Sequence, residues 1–582
     1  MRALTSPQVL DDAGSRPRRG RHRATEWVLA TAVALLACAP FLFAARTGAL
    51  SVPFLDDWAY LRIVRHDVLT GDLAFIDWND VNFLGLVPFT WLSGSLFGTG
   101  IVDFKPVSVV SYVALVAGIW AYARLFVARV WALFCTAAVM SYPPFGYLAV
   151  TLMTDLPSIA CQTWCTVLGI TALRADEPVR RRRLVVALAI GLLGFTIRQQ
   201  AVVAPLAVLC LLWVRGGRAR ERSVAVTATV AVLAAGLAFT LWRASFPLGG
   251  HSLSAWPPTN GTGSLLTLAI FTAGFLLPVL VLAAARAWPD VQRGRLVLLG
   301  SSAFALAAIG AVLMFREFPF GGNGVTRYGA IGGNVFLSGG RHPVVPLWVW
   351  LAFLAAVATG TALAAVLSWH GAHRLVAEVR TTARAARAER VAALDPRAVV
   401  VAASVVLCVG LLVLNAYANF FVFDRYAAPL VILVVAPLVA WTTSGDAPSG
   451  RWGRWSVAAA AATLVLLSVV SLSGTWDAQS FAHARWEAGE RARSLGIPAD
   501  RIDAGAEWVG YHYRARLQEH RSAPPDDGLP PAPYRDVVPR FRRSLVVLDG
   551  PLRGRAPLFE VRYSEWFGLA QRTLYGYPVA SP

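Results

Sequence analysis

The stretch WVLATAVALLACAPFLFAA, residues 27–45, has no charged side chain and is long enough to cross a bilayer as a helix. Five arginines lie just before it, between residues 16 and 23. The same charge pattern is typical of a signal peptide, but this apolar run is longer than the usual signal core of roughly 7–15 residues. We therefore expect an uncleaved first helix whose arginine-rich tail, residues 1–25, lies in the cytoplasm.

The whole chain has the composition of an integral membrane protein. Of its 582 residues, 56% are hydrophobic and 15% are charged, whereas roughly a quarter of the residues of a soluble domain are charged. The net charge of +19 would suggest a nucleic-acid partner for a soluble protein, but membrane proteins collect arginine in their cytoplasmic loops. We therefore predict no nucleic-acid partner. The six cysteines lie in apolar segments, so neither a disulfide framework nor a zinc site is expected.

Twelve further apolar runs predict additional membrane crossings. They lie at about 106–124, 129–149, 152–173, 184–197, 200–214, 224–242, 264–285, 297–315, 345–368, 398–418, 427–442 and 456–474. The runs at 184–197 and 200–214 are short, so they predict a hairpin whose tip, near Arg198, is sunk within the protein. The resulting thirteen helices place most arginine-rich loops inside, and their odd number places the last segment outside the cell.

These features predict an all-α polytopic membrane protein with a small α/β domain at its C-terminal end. The membrane domain is expected at 26–474, with a long first outer loop at 47–105, and the extracytoplasmic domain at 475–582. Strand-like runs at 544–548 and 559–563 favour the α/β assignment of this last domain.

Polar side chains that are unusual so near to a bilayer converge on the predicted outer face. They are Asp56, Asp57, Asp77, Asp80, Asp155, Arg198, Gln199, Asp424, Arg425 and Tyr426. Asp56 and Asp57 precede an amphipathic stretch, residues 60–69, that is expected to lie along the membrane interface as a helix. One explanation is that Asp57 is simply the N-cap of this helix and has no other role. Two adjacent carboxylates could also supply a general base and a neighbour that tunes its pKa or holds a cation.

The next two motifs have structural as well as functional explanations. Thr154 or Asp155 could simply begin a helix that has Pro157 in its first turn. A cation such as Arg198 is costly between apolar runs unless it is paired or faces a wet cavity. It could therefore pair with Asp155 or Asp56, or it could bind a phosphate bidentately.

The motif Asp424-Arg425-Tyr426 lies between two apolar segments at the same predicted level as Arg198. Asp424 and Arg425 could form an ion pair with each other at the surface. Alternatively, Arg425 could provide a second contact to an anionic head group.

Taken in order, these motifs resemble those of the GT-C superfamily of membrane glycosyltransferases. The matching stretches are Asp56-Asp57-Trp58-Ala59-Tyr60, Thr70-Gly71-Asp72, Asp77-Trp78, Met153-Thr154-Asp155-Leu156-Pro157, Arg198-Gln199, and Phe423-Asp424-Arg425-Tyr426 with Pro429. Within the superfamily, the chain is most similar to the bacterial branch related to protein O-mannosyltransferases and lipid A aminoarabinose transferases, which is glycosyltransferase family 39-like. The paired carboxylates are commonly Asp-Glu in the protein O-mannosyltransferases and are Asp-Asp here, which leaves open which one is the base.

The resemblance implies transfer of a sugar, hexosyl or pentosyl, from a polyprenyl-phosphate donor to an acceptor on the outer face of the plasma membrane. The acceptor would be a lipid, a polysaccharide or a protein. Asp56, or else Asp57, would be the catalytic base of a single, inverting displacement, and Arg198 with Arg425 would contact the donor phosphate. The rest of the polar site would comprise Asp155, Gln199, Asp80, Asp424 and Tyr426.

The resemblance admits a divalent cation beside Asp155, but the outer loops lack a dense carboxylate and histidine cluster, so no metal is firmly predicted. The main alternative function is a transporter or flippase of a lipid-linked sugar. Such a protein should show paired repeats, broken helices and ionisable groups near the bilayer midplane. The sequence has no evident repeat and collects its polar groups at one face, which favours the transferase. An inactive assembly partner is disfavoured by the intact aspartate pair and Arg198.

Overall fold

The computed structural model describes residues 19–75, 82–173, 177–215, 219–244, 261–292, 345–382, 395–418, 422–444, 451–512 and 541–579, with short pieces between 298 and 338. Most of this part is helical. Two residues of the predicted outer face, Asp77 and Asp80, lie outside the described residues.

The helices are numbered here in chain order. They are α1 Arg19–Thr47, α2 Asp57–Thr70, α3 Val87–Phe97, α4 Lys105–Arg124, α5 Arg129–Met140, α6 Pro143–Tyr147, α7 Asp155–Ala172, α8 Glu177–Ile197, α9 Val203–Arg215, α10 Ala219–Ala244, α11 Gly261–Phe275, α12 Leu277–Gln292, α13 Leu347–Thr382, α14 Pro396–Ala418, α15 Ala428–Thr443, α16 Arg451–Ser494 and α17 Ala506–His512. Within a bilayer, helices form because each backbone group must find its hydrogen bond inside the segment. Prolines occupy the first turn of α3, α4, α6 and α15, where a helix needs no backbone NH.

Seven of the described helices are long and apolar enough to cross a membrane. They include Ala24–Thr47, Val102–Arg124 and Asp424–Thr443. An eighth span is added if Gly261–Phe275 and Leu277–Ala287, which meet at 79°, are counted as one broken helix. The chain is therefore a multi-pass membrane protein of mostly helical fold, as predicted.

The remaining predicted crossings correspond to segments that are shorter, more charged or, as in α7, richer in polar residues. The run 129–149 is divided between α5 and α6, while α8 and α9 form the predicted short pair around Arg198. Most of the run 297–315 lies outside the described residues. The count of thirteen crossings therefore stays a prediction.

The described part of the first predicted outer loop contains two α-helices. α2 buries Tyr60 and Val64 and exposes Arg65 and His66, as expected for an amphipathic helix. It ends at Gly71, whose φ of 71° is the left-handed conformation that glycine adopts readily. The second helix, α3, was not predicted from the sequence.

The longest of the described helices, α16, is longer than one membrane crossing needs. Its 44 residues correspond to about 66 Å at 1.5 Å per residue, whereas a hydrocarbon core is about 30 Å thick. The helix runs without a break through residue 475, the predicted start of the C-terminal domain. Near its end, Phe481, Ala484 and Ala488 belong to the same apolar core as the C-terminal sheet.

The strands are few and short except at the C-terminal end. They are β1 Val325–Thr326, β2 Gly329–Ala330, β3 Ile502–Asp503, β4 Leu545–Leu548, β5 Phe559–Glu565 and β6 Ala570–Pro578. The last four form one sheet in the order β3-β4-β6-β5, in which only β3 and β4 are parallel. The predicted strands at 544–548 and 559–563 are confirmed as β4 and β5, and β6 was not predicted.

Candidate active site

The backbone just before α2 separates the two adjacent aspartates. Leu55 has a φ of 59°, a left-handed conformation that costs a non-glycine residue roughly 1–2 kcal/mol. Asp56 follows as the N-cap residue of α2 and Asp57 as its first helical residue. The side chain of Asp56 makes no capping hydrogen bond, so capping does not account for its presence.

Asp57 is fully buried inside the protein. Its Oδ2 lies 3.0 Å from Nζ of Lys105, and its Oδ1 accepts the backbone NH of Leu152 at 3.0 Å. Burial raises the pKa of Asp57, and the positive charge of Lys105 opposes this rise. Both carboxylate oxygens of Asp57 are therefore used to join α2 to α4 and to the turn before α7.

Asp56 contacts a different part of the protein and remains accessible. Its side chain is 36% exposed, and its Oδ2 lies 3.8 Å from Nη2 of Arg425. The two aspartates thus differ in both partner and exposure. Of the two, Asp56 has the solvent-accessible carboxylate.

Asp155 is the centre of a buried charge cluster. It is the first residue of α7, and its Oδ2 lies 3.2 Å from Nη1 of Arg198. Its Oδ1 lies 3.3 Å from Nε of Arg425. One buried carboxylate therefore bridges two guanidinium groups, and Asp56 supplies a second negative charge at the edge. Opposite charges held together in this way avoid the large cost of an unpaired buried ion.

Arg198 lies in the break between α8 and α9 and is buried, as the predicted hairpin tip requires. Its Nη1 also donates to Oγ1 of Thr154 at 2.9 Å. Thr154 and Asp155 are thus more than the start of a helix, because both bind the same guanidinium. Gln199, the next residue, is exposed and begins a short 3-10 turn.

Residues of the predicted first outer loop contact the end of α8 beside Arg198. The backbone NH of Phe83 donates to the carbonyl of Ile197 at 2.9 Å. The side-chain amide of Asn82 donates to the carbonyl of Phe195 at 2.6 Å. These bonds satisfy carbonyl groups that a helix end leaves without an internal partner, and they fix the position at which Arg198 leaves the helix.

Asp424 and Arg425 do not form a surface ion pair with each other, which was one of the two alternatives that the sequence left open. Oδ1 of Asp424 accepts the hydroxyl of Tyr147 at 2.8 Å and the backbone NH of Arg425 at 2.7 Å. The guanidinium of Arg425 is directed instead to Asp155 and Asp56. Asp424 therefore fixes the backbone from which Arg425 reaches the cluster.

Tyr426 completes the cluster with an aromatic surface. Its ring centroid lies 5.3 Å from the guanidinium carbon of Arg198 and 5.7 Å from that of Arg425. At these distances the ring attracts both cations. Tyr426 thus helps to hold two like charges close to each other.

Of the predicted site residues, the structure brings Asp56, Asp155, Arg198, Arg425 and Tyr426 into one cluster. Asp424 lies next to this cluster and supports it. Asp57 is directed instead to Lys105 and Leu152, Gln199 is exposed at the break after Arg198, and Asp80 lies outside the described residues.

Three supporting residues were missed or undervalued in the sequence. Lys105, the partner of Asp57, is the only lysine among 53 basic residues, and that isolation was a usable signal. Tyr147 gave no such signal, because a tyrosine in an apolar run is common. Tyr60 is buried beside Thr154, and burial raises the pKa of Tyr60, so its hydroxyl stays protonated.

No group of three or more His, Cys, Asp or Glu side chains suited to a metal ion occurs within the described part of the chain. The resemblance allowed for a divalent cation beside Asp155. In the structure, two arginines, Arg198 and Arg425, contact the carboxylate of Asp155. The described geometry therefore provides positive charge through guanidinium groups.

Residues 87–242 match a family model described as dolichyl-phosphate-mannose-protein mannosyltransferase. The predicted resemblance to membrane glycosyltransferases is confirmed over these residues. The matched part extends from α3 into α10 and includes Asp155 and Arg198. Asp56 and Arg425 lie outside it, and the match assigns no role to any residue, so the roles of all the site residues stay predictions.

Solved structures give matches of low similarity. ArnT from Cupriavidus metallidurans bound to undecaprenyl phosphate is 16% identical with a TM-score of 0.37, over 85% of this chain and 86% of that chain. The Archaeoglobus fulgidus oligosaccharyltransferase is 12% identical with a TM-score of 0.40, over 85% and 61%. The arabinosyltransferase EmbB from Mycobacterium smegmatis is 13% identical with a TM-score of 0.33, over 82% and 43%. A comparison with curated proteins finds no match.

Proposed function

We propose that the protein is a glycosyltransferase that uses a polyprenyl-phosphate sugar donor, with Asp56 as the base that deprotonates the acceptor. One observation carries the proposal: the accessible carboxylate of Asp56 lies beside Arg425, which shares the buried Asp155 with Arg198. A proton acceptor and two cations are thus available at one place. These are the groups that displacement of a phosphate from a sugar needs.

The reaction is a single displacement at the anomeric carbon. The acceptor hydroxyl oxygen forms a bond to this carbon while the bond from the carbon to the phosphate oxygen breaks. The hydroxyl proton passes to Asp56, and the electron pair of the broken bond stays on the departing phosphate. Because the acceptor enters opposite to the leaving group, the anomeric configuration is inverted.

The arginine pair stabilises the departing phosphate. Asp56 and Asp155 together balance the charges of Arg198 and Arg425 before reaction. When Asp56 accepts the proton, these four groups gain one net positive charge just as negative charge develops on the phosphate. Such stabilisation is effective because the groups are already in place in a site of low dielectric.

The site is assigned to the outer side of the plasma membrane. α2 follows directly on the first span, whose arginine-rich leading residues are expected inside. The acceptor is a lipid, polysaccharide or protein of the cell envelope, and the transferred group is a hexosyl or pentosyl unit.

Binding of undecaprenyl phosphate, the lipid named for the ArnT structure, tests the proposed donor site. Purified protein should bind this lipid more tightly than the uncharged undecaprenol, as measured by native mass spectrometry in detergent. Arg425→Ala and Arg198→Ala should each weaken binding by roughly ten- to a hundredfold, the usual effect of losing a hydrogen bond to a charged group. Arg491→Ala, at an exposed arginine paired with Glu487, is the matched control and should bind like the wild type.

Transfer itself is measured as sugar release from a panel of synthetic polyprenyl-phosphate hexoses and pentoses. The proposal predicts release of at least one sugar with inverted anomeric configuration. It is contradicted if undecaprenol binds as well as the phosphate, or if the protein moves a lipid-linked sugar across vesicles without ever cleaving it.

A further inference from the structure

We propose that Glu507, held by Arg485, is a positioning residue that fixes Asp56 by binding the backbone of Leu55. This inference rests on the proposed role of Asp56. It assigns to the C-terminal segment a direct part in shaping the site, although the segment lies about 450 residues further along the chain.

The contact is buried. Oε1 of Glu507 accepts the backbone NH of Leu55 at 3.3 Å. Both terminal nitrogens of Arg485 donate hydrogen bonds to the same carboxylate, one of them at 2.7 Å. Both side chains are 4% exposed. A bidentate pair of this kind fixes orientation as well as charge, so Glu507 cannot turn away from Leu55 without leaving Arg485.

Leu55 is the residue at which such a contact has most effect. Its φ of 59° is one that leucine rarely adopts, and a residue in this region persists only when its surroundings hold it there. Relaxation of Leu55 to an ordinary φ would rotate the following peptide and move Asp56 away from Arg425. The conformation of Leu55 therefore sets the direction of the proposed base.

A second set of contacts joins the same two segments. α17, which contains Glu507, packs against α2, which begins just after Asp56. Nη1 of Arg62 donates to the carbonyl of Gly510 at 2.9 Å, and Nη1 of Arg65 donates to the hydroxyl of Tyr511 at 3.0 Å. α16 provides Arg485, so the long helix, α17 and α2 are joined by buried and polar contacts behind Asp56.

The test removes the buried pair as a unit, because either partner alone would leave an unpaired buried charge. The double variant Arg485→Leu/Glu507→Leu should fold but leave the Leu55 NH without its acceptor. We expect faster amide hydrogen exchange in the peptide that covers residues 52–60. Turnover should fall by about ten- to a hundredfold, as misplacement of a catalytic group does, while the affinity for undecaprenyl phosphate stays unchanged.

A rescue variant distinguishes positioning from general loss of structure. Glycine adopts the left-handed conformation without strain, so Leu55→Gly added to the double variant should restore part of the turnover. The control is Glu490→Gln/Arg493→Gln, which removes an exposed pair on the same helix and should change neither measurement.

The proposal is overturned if the folded double variant has the same amide exchange rate in residues 52–60 and the same turnover as the wild type. It is also overturned if turnover falls only in proportion to the affinity for undecaprenyl phosphate, or if Leu55→Gly restores none of the lost turnover. Hydrogen exchange needs no activity. A wild type that transfers no sugar would therefore contradict the proposed function, while the exchange rate of residues 52–60 would still decide whether Glu507 holds this segment.

Discussion

At the scale of single residues, the carboxylates of Asp56 and Asp57 are one peptide unit apart but have different partners. Asp57 is buried against Lys105 and Leu152, and Asp56 is partly exposed beside Arg425. A left-handed residue precedes them. This geometry suits one structural carboxylate and one accessible carboxylate, and it supports the choice of Asp56 as the base.

Loss of Lys105, the partner of Asp57, should lower the stability of the folded protein. Lys105→Met leaves a buried carboxylate without its cation, and breaking a buried pair from one side typically costs about 3–5 kcal/mol. We expect a clear fall in the thermal midpoint of the purified protein in detergent. The double variant Lys105→Met/Asp57→Asn should recover most of the loss, because the amide oxygen can still accept the NH of Leu152. Equal stability of Lys105→Met and wild type would contradict this role.

The ion pair of Asp57 and Lys105 should also affect how the stability of the protein depends on pH. The pKa of Asp57 is raised above the value of 3.8 that applies to the unfolded chain, chiefly by burial. A carboxyl with a raised pKa binds its proton more tightly in the folded state, so its contribution to stability is present below pH 3.8 and is lost as the pH rises through the folded pKa.

Lys105→Met removes the charge that opposes the rise in pKa of Asp57. The variant should therefore gain more stability than the wild type as the pH is lowered from neutral, measured as the thermal midpoint across a pH series. Lys105→Met/Asp57→Asn has no such carboxyl and is the control. A parallel pH dependence in all three proteins would contradict the assignment.

The sequence identified this aspartate pair but could not separate its members. The residues that distinguish them are Lys105 and Leu152, 48 and 95 positions away from Asp57. Sequence spacing carries no information on such contacts. The left-handed Leu55 is equally hidden, because leucine has no preference for that conformation.

At the scale of elements, α16 is joined to the C-terminal sheet by contacts with the turn between β5 and β6. Asp477 is buried in α16, and its carboxylate accepts the backbone NH groups of Trp566, Phe567 and Gly568. The rings of Trp476 and Trp566 stack beside it with centroids 4.1 Å apart. The turn is thereby fixed to the helix.

Asp477→Ala should release this turn. It leaves up to three buried NH groups without an acceptor, at about 1–3 kcal/mol for each one that water cannot reach. We expect a lower thermal midpoint and faster proteolysis within residues 565–570. Asp500→Ala, at an exposed aspartate of the same region, is the control. Unchanged proteolysis of the turn would contradict the anchoring role.

Elements were predicted well where hydropathy alone decides them. The long apolar helices and strands β4 and β5 follow from composition and alternation. α3 and β6 did not, because α3 is a short apolar piece in a loop and β6 mixes charged, polar and aromatic residues. The unbroken passage of α16 into the C-terminal region also escaped prediction, since charged residues return there while the helix continues.

At the scale of the whole molecule, four distant segments supply the candidate site. They are the loop before α2, the start of α7, the break between α8 and α9, and the turn before α15. Membrane threading predicted that these segments share one face, because loops that follow alternate crossings do so. Their detailed pairing required the folded chain, since it depends on how the helices pack.

The measurement that tests the central claim most directly compares Asp56→Asn with Asp57→Asn in sugar release from a polyprenyl-phosphate sugar that the wild type cleaves. Asp56→Asn should bind undecaprenyl phosphate normally but lose about a hundredfold or more of the turnover, the usual contribution of a general base. Asp57→Asn should lose stability, and its folded fraction should retain turnover. Wild-type turnover in Asp56→Asn, together with its loss in folded Asp57→Asn, would contradict the account.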